Sequence, residues 1–374
     1  MAIAGFEGFE ARPYILGSGL TIGSQHARSG GAGMGLNTFN NVVFTSAGML
    51  EGSEFFKLGA AIGFAFRATG ASGTIVQFVG EGPFAPRSNL SKVELRYTSQ
   101  GALGIWSVSG HANDNIGFRG LVSRQLEQGC WYYVVIAVTA SHSGGSVAVQ
   151  LNGGETTVLG GIPTDTHSDD DPIPTDPEPG GYWPGYHSFR MGVIGGGSLS
   201  DRIYSFDDIY FGSNALGEMA ASKLTLESDR RTELIPSSGG DNYAMVDDTT
   251  PDGDATYLYP EDFFGGEDVY ECVDVPELNT VWGVQIAVDG KRTATARWRL
   301  QGFVELDGDL LYQGGQELAT SYGTTTGFIF PEAPGPIIPV EWTPERLSDC
   351  GFGVYMRAPS LYNEDTIQDR DPFV

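Results

Sequence analysis

Trp131-Tyr-Tyr-Val-Val-Ile-Ala-Val138 decides how the rest of the chain is read. It is apolar throughout, rich in β-branched and aromatic residues, and too short for a helix of good formers. It therefore reads as a central strand covered on both faces. Its neighbours have the complementary pattern. In Lys92-Val-Glu-Leu-Arg-Tyr97 the apolar Val93, Leu95 and Tyr97 alternate with Lys92, Glu94 and Arg96. One face of that strand is expected in the core and the other in water. Further runs at 61–68, 74–79, 103–108, 146–151 and 188–193 are divided by turn dipeptides such as Ser143-Gly-Gly and Asn152-Gly-Gly, the usual punctuation of hairpins. The chain reads as all-β.

Composition agrees. The 374 residues include 54 glycines, and only 18% are charged, which favours turns over long helices. The balance of 21 basic against 47 acidic residues gives a net charge of −26. A nucleic acid or an anionic membrane would be repelled by such a chain, so neither is an expected partner. No run is long enough to insert in a bilayer. Met1 to Glu10 lacks a basic stretch and an apolar stretch, so no secretory leader is expected there. The three cysteines, Cys130, Cys272 and Cys350, have no CxxC spacing and read as small core residues rather than as a zinc site or a disulfide framework.

The rhythm of strands breaks twice. Residues 160–186 form an acidic, proline-rich stretch expected to lie as a surface loop, because proline denies ladder donors and charge resists burial. A second break near 213 divides the chain into residues 1–213, a second β region over 214–360, and a polar tail over 361–374. In the second region strands are expected at 221–226, 268–273, 281–288, 293–300, 310–313, 327–330 and 351–357. Asp241 to Asp268 reads as a solvated acidic connection.

Catalytic patterns are hard to find. Paired carboxylates in an alternating strand set are missing, as are a G-x-S-x-G elbow and a phosphate-binding glycine loop. The five histidines have no metal-ligand spacing and read as loop residues. The expectation is no enzymatic activity and no catalytic residue. Two candidates for binding stand out. Asp165, Asp169, Asp170 and Asp171 offer hard oxygen ligands of the kind calcium takes, and they are equally readable as a solvated acidic loop. Asp247, Asp248, Asp252 and Asp254 pose the same choice. No other cofactor is expected. Trp131, Trp282 and Trp298 lie in strand runs and read as packing residues. Trp106 and the loop aromatics Tyr182, Trp183 and Tyr186 are the residues suited to stacking on a sugar or docking on a protein.

Several elements recur in a known order: Gly5-Phe-Glu-Gly-Phe, Arg28-Ser-Gly-Gly, Gly63-Phe-Ala-Phe-Arg, Gly129-Cys-Trp-Tyr-Tyr-Val, Gly145-Ser-Val-Ala-Val-Gln-Leu-Asn-Gly and Phe206-Asp-Asp-Ile-Tyr. This order resembles the concanavalin A-like, or laminin G-like, jelly roll of tailed-bacteriophage structural proteins. Downstream, Asp254-Ala-Thr-Tyr-Leu, Val284-Gln-Ile-Ala-Val, Glu341-Trp-Thr-Pro-Glu-Arg-Leu and Phe352-Gly-Val resemble the β module that follows it in such proteins. The resemblance implies a jelly-roll sandwich followed by a second β-sandwich domain. It also implies a virion protein made in the host cytoplasm, either a capsid decoration or a fibre-type subunit. Such a subunit would be a homo-oligomer contacting other virion proteins and possible host surface glycans. The alternatives are a calcium-dependent carbohydrate-binding module and a laminarinase-type hydrolase.

Overall fold

The computed structural model describes residues 3–7, 20–28, 33–36, 41–45, 59–68, 72–79, 91–107, 117–139, 141, 144–164, 188–192, 204–212, 215–220, 222–247, 255–261, 265–273, 280–292, 298–313, 316–321 and 323–357. They divide into two compact units, Met1–Lys223 and Leu224–Val374. The division falls about ten residues beyond the expected cut after 213 for a physical reason. Leu216 and Met219 pack on the outer side of a sheet in the first unit, against Tyr133, Val135 and Tyr210. The expected tail at 361–374 lies outside the described residues.

The first unit is a jelly-roll sandwich of two antiparallel sheets. The larger runs in the order β12 (Thr157–Ile162), β11 (Gly145–Leu151), β10 (Tyr132–Thr139), β5 (Gly59–Ala68), β14 (Tyr204–Gly212), β3 (Gly33–Leu36), β2 (Leu20–Gly23), with β1 (Ile3–Glu7) also paired to β14. The smaller runs β4 (Asn41–Thr45), β13 (Ser188–Gly192), β6 (Gly73–Val79), β7 (Ser91–Tyr97), β8 (Ala102–Ser107), β9 (Gly117–Gln125). Gly160, Gly161 and Ile162, expected in the long loop, instead close β12.

Alternation explains the layers. In β10 the side chains of Val134, Ile136 and Val138 enter the core between the sheets, while Tyr133 and Val135 face the other way. The strand is thus covered on both sides, as its sequence implies. Phe66, Tyr97, Tyr204 and Phe206 form an aromatic cluster in that core, with ring centroids 5.3 to 6.4 Å apart. Such pairs add about 0.5–1.5 kcal/mol each beyond their buried area.

The second unit is a β-sandwich in which a six-stranded antiparallel sheet faces a hairpin ribbon. The sheet runs β15 (Thr225–Thr232), β18 (Gly266–Val273), β24 (Gly351–Arg357), β20 (Arg299–Leu306), β21 (Asp309–Tyr312), with β22 (Gln316–Glu317) on β20. The ribbon pairs β19 (Val284–Gly290) with β23 (Gly323–Phe330), and a small ribbon pairs β16 (Leu234–Pro236) with β17 (Leu258–Pro260). Val284 and Phe330 of the β19/β23 ribbon share one core with Leu300, Val304 and Phe352 of the sheet. A short helix, α1 (Pro344–Asp349), caps it. The Thr343 side chain accepts from the Arg346 backbone N–H at 3.2 Å, and Pro344 opens the first turn. Trp342 donates its indole N–H to the Phe330 carbonyl at 2.9 Å and lies buried beside it.

The span Asp241 to Asp268, expected to be solvated, is anchored at both ends. Asp268 is fully buried. It accepts from the backbone N–H of Glu233 and Leu234, from the Asn242 side-chain amide and from the Tyr270 hydroxyl. Asp229 accepts from the backbone N–H of Asn242 and Tyr243 at 2.7 and 2.6 Å. A buried carboxylate is stable in this position because four donors replace its water.

Both units seat an aromatic ring over a glycine on the neighbouring strand. A Cβ on Gly63 would lie 2.1 Å from the Tyr210 ring, and one on Gly353 2.2 Å from the Phe303 ring. Each pair is directly cross-strand. Gly63→Ala is therefore expected to destabilise the first unit by about 3 kcal/mol through overpacking, seen as a lower urea midpoint for that unit's unfolding. An unchanged midpoint would mean that Tyr210 can move aside.

Candidate functional site

The six-stranded sheet of the first unit has one face in the core and one away from it. Val93 and Leu95 of β7, Leu103 and Ile105 of β8, and Phe189 and Met191 of β13 face inward. Alternation turns Glu94, Arg96, Trp106 and Arg190 to the other side. Strand register then lines these side chains up. Arg190 lies opposite Gln77, Gln77 opposite Glu94, Glu94 opposite Trp106, and Trp106 opposite Phe118. A single row, Arg190, Gln77, Glu94, Trp106 and Phe118, thus crosses five strands.

The row changes character along its length. Glu94 is 5% and Gln77 6% exposed, although neither faces the core. The Glu94 carboxylate is held from three directions. Gln77 Nε2 donates to Oε1 at 2.8 Å, while Arg96 Nε at 2.6 Å and Thr74 Oγ1 at 3.3 Å donate to Oε2. Arg96 also places its second guanidinium nitrogen 2.5 Å from Oε2. Lying 4.9 Å from the Trp106 ring centroid, that guanidinium stacks over the indole, a contact worth about 0.5–1 kcal/mol where water has access. Trp106 packs on Phe118 with centroids 4.9 Å apart, and Phe118 is 54% exposed. Leu121 of β9 and Val158 of β12 are also exposed, and Gly120 of β9 sits against Leu159 of β12. The polar end of the row is fixed and covered; the aromatic end is open.

Sequence reasoning singled out Trp106 as a candidate for stacking; the structure sets it on the outer face of the sheet between Arg96 and Phe118, neighbours that the sequence did not reveal. Glu94 was expected in water because it alternates with core residues, yet three donors hold it in a buried position. Tyr182, Trp183 and Tyr186 lie outside the described residues, as do Asp165, Asp169, Asp170 and Asp171 and also Asp248, Asp252 and Asp254. No group of three or more His, Cys, Asp or Glu suited to a metal ion occurs among the described residues. His26, expected in a loop, is buried in a short 3-10 turn, with Nδ1 2.9 Å from the Ser205 hydroxyl. Burial, and then the Arg67 charge, lower its pKa.

A second polar cluster lies on the other sheet. Asp207 and Asp208 are both buried within β14. Asp207 Oδ2 accepts the Arg28 backbone N–H at 2.7 Å, and the Arg28 guanidinium donates to Asp208 Oδ2 at 3.2 Å and to the Met219 carbonyl at 3.3 Å. It also pairs with Glu218 and stacks 5.1 Å above the Tyr133 ring centroid. Tyr133 donates its hydroxyl to the Asp208 carbonyl at 3.1 Å, and burial drives its pKa upward.

No family model matches the chain, and no curated protein matches it. Similar solved structures include an endo-β-1,4-glucuronan lyase from Trichoderma reesei, at 16% identity and a TM-score of 0.40, covering 57% of this chain and 96% of that one. An alginate lyase from Aplysia kurodai has 9% identity and a TM-score of 0.33, covering 52% and 86%. A Trypanosoma rangeli sialidase has 13% identity and a TM-score of 0.33, covering 50% of this chain and 26% of that one. These likenesses carry no residue and no activity over to this chain. The expectation of no enzymatic activity is corrected to this extent: lyases and a sialidase are among the structures similar to this chain, and the exclusion is withdrawn.

The row makes a clear energetic prediction. Arg96→Ala leaves the buried Glu94 carboxylate without its cation and is expected to cost about 3 kcal/mol, as broken buried pairs do. Glu94→Gln leaves only the half-exposed Arg96 without its counter-ion and should cost about 1 kcal/mol. Urea unfolding of the two variants checks this, and equal losses would show that the Arg96 charge does not hold Glu94.

Proposed function

We propose that this chain is a surface protein of a tailed-phage particle that contacts host glycans through the outer face of its six-stranded jelly-roll sheet. One observation carries the contact surface: the in-register row from buried Gln77 and Glu94 to Trp106 and the exposed Phe118. Sugars present apolar C–H faces and a ring of hydroxyls. The exposed Phe118 ring beside the half-buried Trp106 indole suits the first, and the half-exposed Arg96 guanidinium suits the second. The row supplies both types within neighbouring strands.

The phage setting is supported by the ordered resemblance from Gly5-Phe-Glu-Gly-Phe to Phe206-Asp-Asp-Ile-Tyr. A chain of net charge −26 would also keep a densely displayed surface soluble and away from the genome. In this reading the protein is a homo-oligomer held on the particle by other virion proteins.

Glycan arrays and affinity electrophoresis on the full chain test the contact. Trp106→Ala and Phe118→Ala should each weaken binding about tenfold, equivalent to about 1.4 kcal/mol; the exposed Phe118→Ala should leave the unfolding midpoint close to that of the parent, while Trp106→Ala lowers it through the lost Arg96 stacking. Binding that survives both substitutions would remove the sheet face from consideration. A chelator arm scores calcium dependence, and recovery of the glycan on a sizing gel scores cutting. Mass spectrometry of purified particles tests the setting, and absence of the chain from particles would end the virion reading.

A further inference from the structure

Two of the three cysteines, read from sequence as isolated core residues, are brought together by the second unit. Cys272 lies in β18, and Cys350 immediately precedes β24. These strands pair antiparallel through Asp268↔Val354, Val269↔Gly353 and Tyr270↔Phe352. The pairing ends at Tyr270↔Phe352, and the same register carried on by two residues would set Cys272 opposite Cys350. The backbone of Cys350 is extended, at φ −72° and ψ 140°, so the alternation of β24 runs through it. Both sulfurs then lie on the face of Phe352 and Val354, and both cysteines belong to the second core, with Cys350 buried and Cys272 at its margin. Cys130 is exposed and belongs to the first unit.

Opposed residues in an antiparallel pair have Cα atoms about 4.5–5.5 Å apart. A disulfide spans about 4.4–6.8 Å between Cα atoms, a range that the extended register would meet. The electrostatics agree: Cys272 is one of the groups that raise the Cys350 thiol.

We propose that Cys272 and Cys350 are a cross-strand dithiol that closes to a disulfide in an oxidising thiol–disulfide environment. The oxidant is a small disulfide, RSSR. The Cys272 thiolate, nearer the surface, attacks one of its sulfurs, forming a mixed disulfide and releasing RS⁻. The Cys350 thiolate then attacks the Cys272 sulfur, the second RS⁻ leaves, and the two protein protons end on two RSH. Two protein thiols are oxidised and one RSSR is reduced. Burial raises the thiol pKa of Cys272 to about 11 and, as the largest cause, that of Cys350 to about 12. Thiolate is scarce at neutral pH, so closure is slow in the folded state, and the finished bond is equally sheltered from reductants. The bond joins the start of β24 to the end of β18 and encloses the β19/β23 ribbon and β20 within its loop, restricting the unfolded chain. This inference goes beyond the proposed function and does not depend on it.

The experiment uses the full chain carrying Cys130→Ser, which removes the exposed thiol. It is incubated with oxidised glutathione at about pH 9, where thiolate is more abundant, both folded and during refolding, and is digested without reduction. The expected result is a peptide holding Cys272 joined to a peptide holding Cys350, short of two hydrogens. The second unit's Tm should rise by about 5–10 °C, and a reductant should reverse the rise. With Cys272→Ser added, neither change should occur. Glutathione adducts without the 272–350 link, two intact thiols after refolding, or a link that lowers Tm would each overturn the proposal.

Discussion

Two adjacent carboxylates in the middle of a wholly buried strand constrain the first unit. All nine residues of β14 are buried, and Asp207 and Asp208 bring acidic side chains into that interior. Removing an ion from water costs several kcal/mol unless cation and donors replace the solvent. Arg28 meets both needs, with its backbone N–H on Asp207 and its guanidinium on Asp208. Asp208 adopts a left-handed backbone, φ +49°, and the β14–β5 register shifts between Asp207 and Tyr210. That bulge lets one strand pair with β5 along its length, with β3 at its start and with β1 at its end. The larger sheet closes around this strand, and the smaller sheet, with its outer row, packs against the surface so formed.

What was legible in the sequence follows from how strongly each element depends on its own alternation. β10 and β7 declare themselves because their core faces are continuous. β9 and β12 do not, since glycine and polar residues dominate strands that lie at sheet edges and bury little. β14 was visible only as part of the Phe206-Asp-Asp-Ile-Tyr resemblance, because acidic residues in a strand suggest water until the distant Arg28 is placed beside them. The site divides in the same way. Trp106 could be singled out as an aromatic residue, but Gln77, Glu94, Phe118 and Arg190 become its neighbours only through strand pairing. That Cys272 and Cys350 share one core is likewise a product of strand pairing, which spacing in a chain does not reveal.

The outer row gains its order from charge rather than from apolar packing. Glu94 fixes Arg96, and Arg96 in turn lies over Trp106, so the indole is oriented by a guanidinium whose own position is set by a buried carboxylate. Phe118 adds the only other ring contact recorded for Trp106 among the described residues. An aromatic platform held in this way loses little side-chain freedom when something stacks on it, and preorganisation of that kind is what converts modest contact area into affinity. A row that passes from charged and amide groups to aromatic ones therefore makes physical sense as a contact surface. As packing alone it would be wasteful, because a buried carboxylate offers less stability than an apolar side chain of similar size.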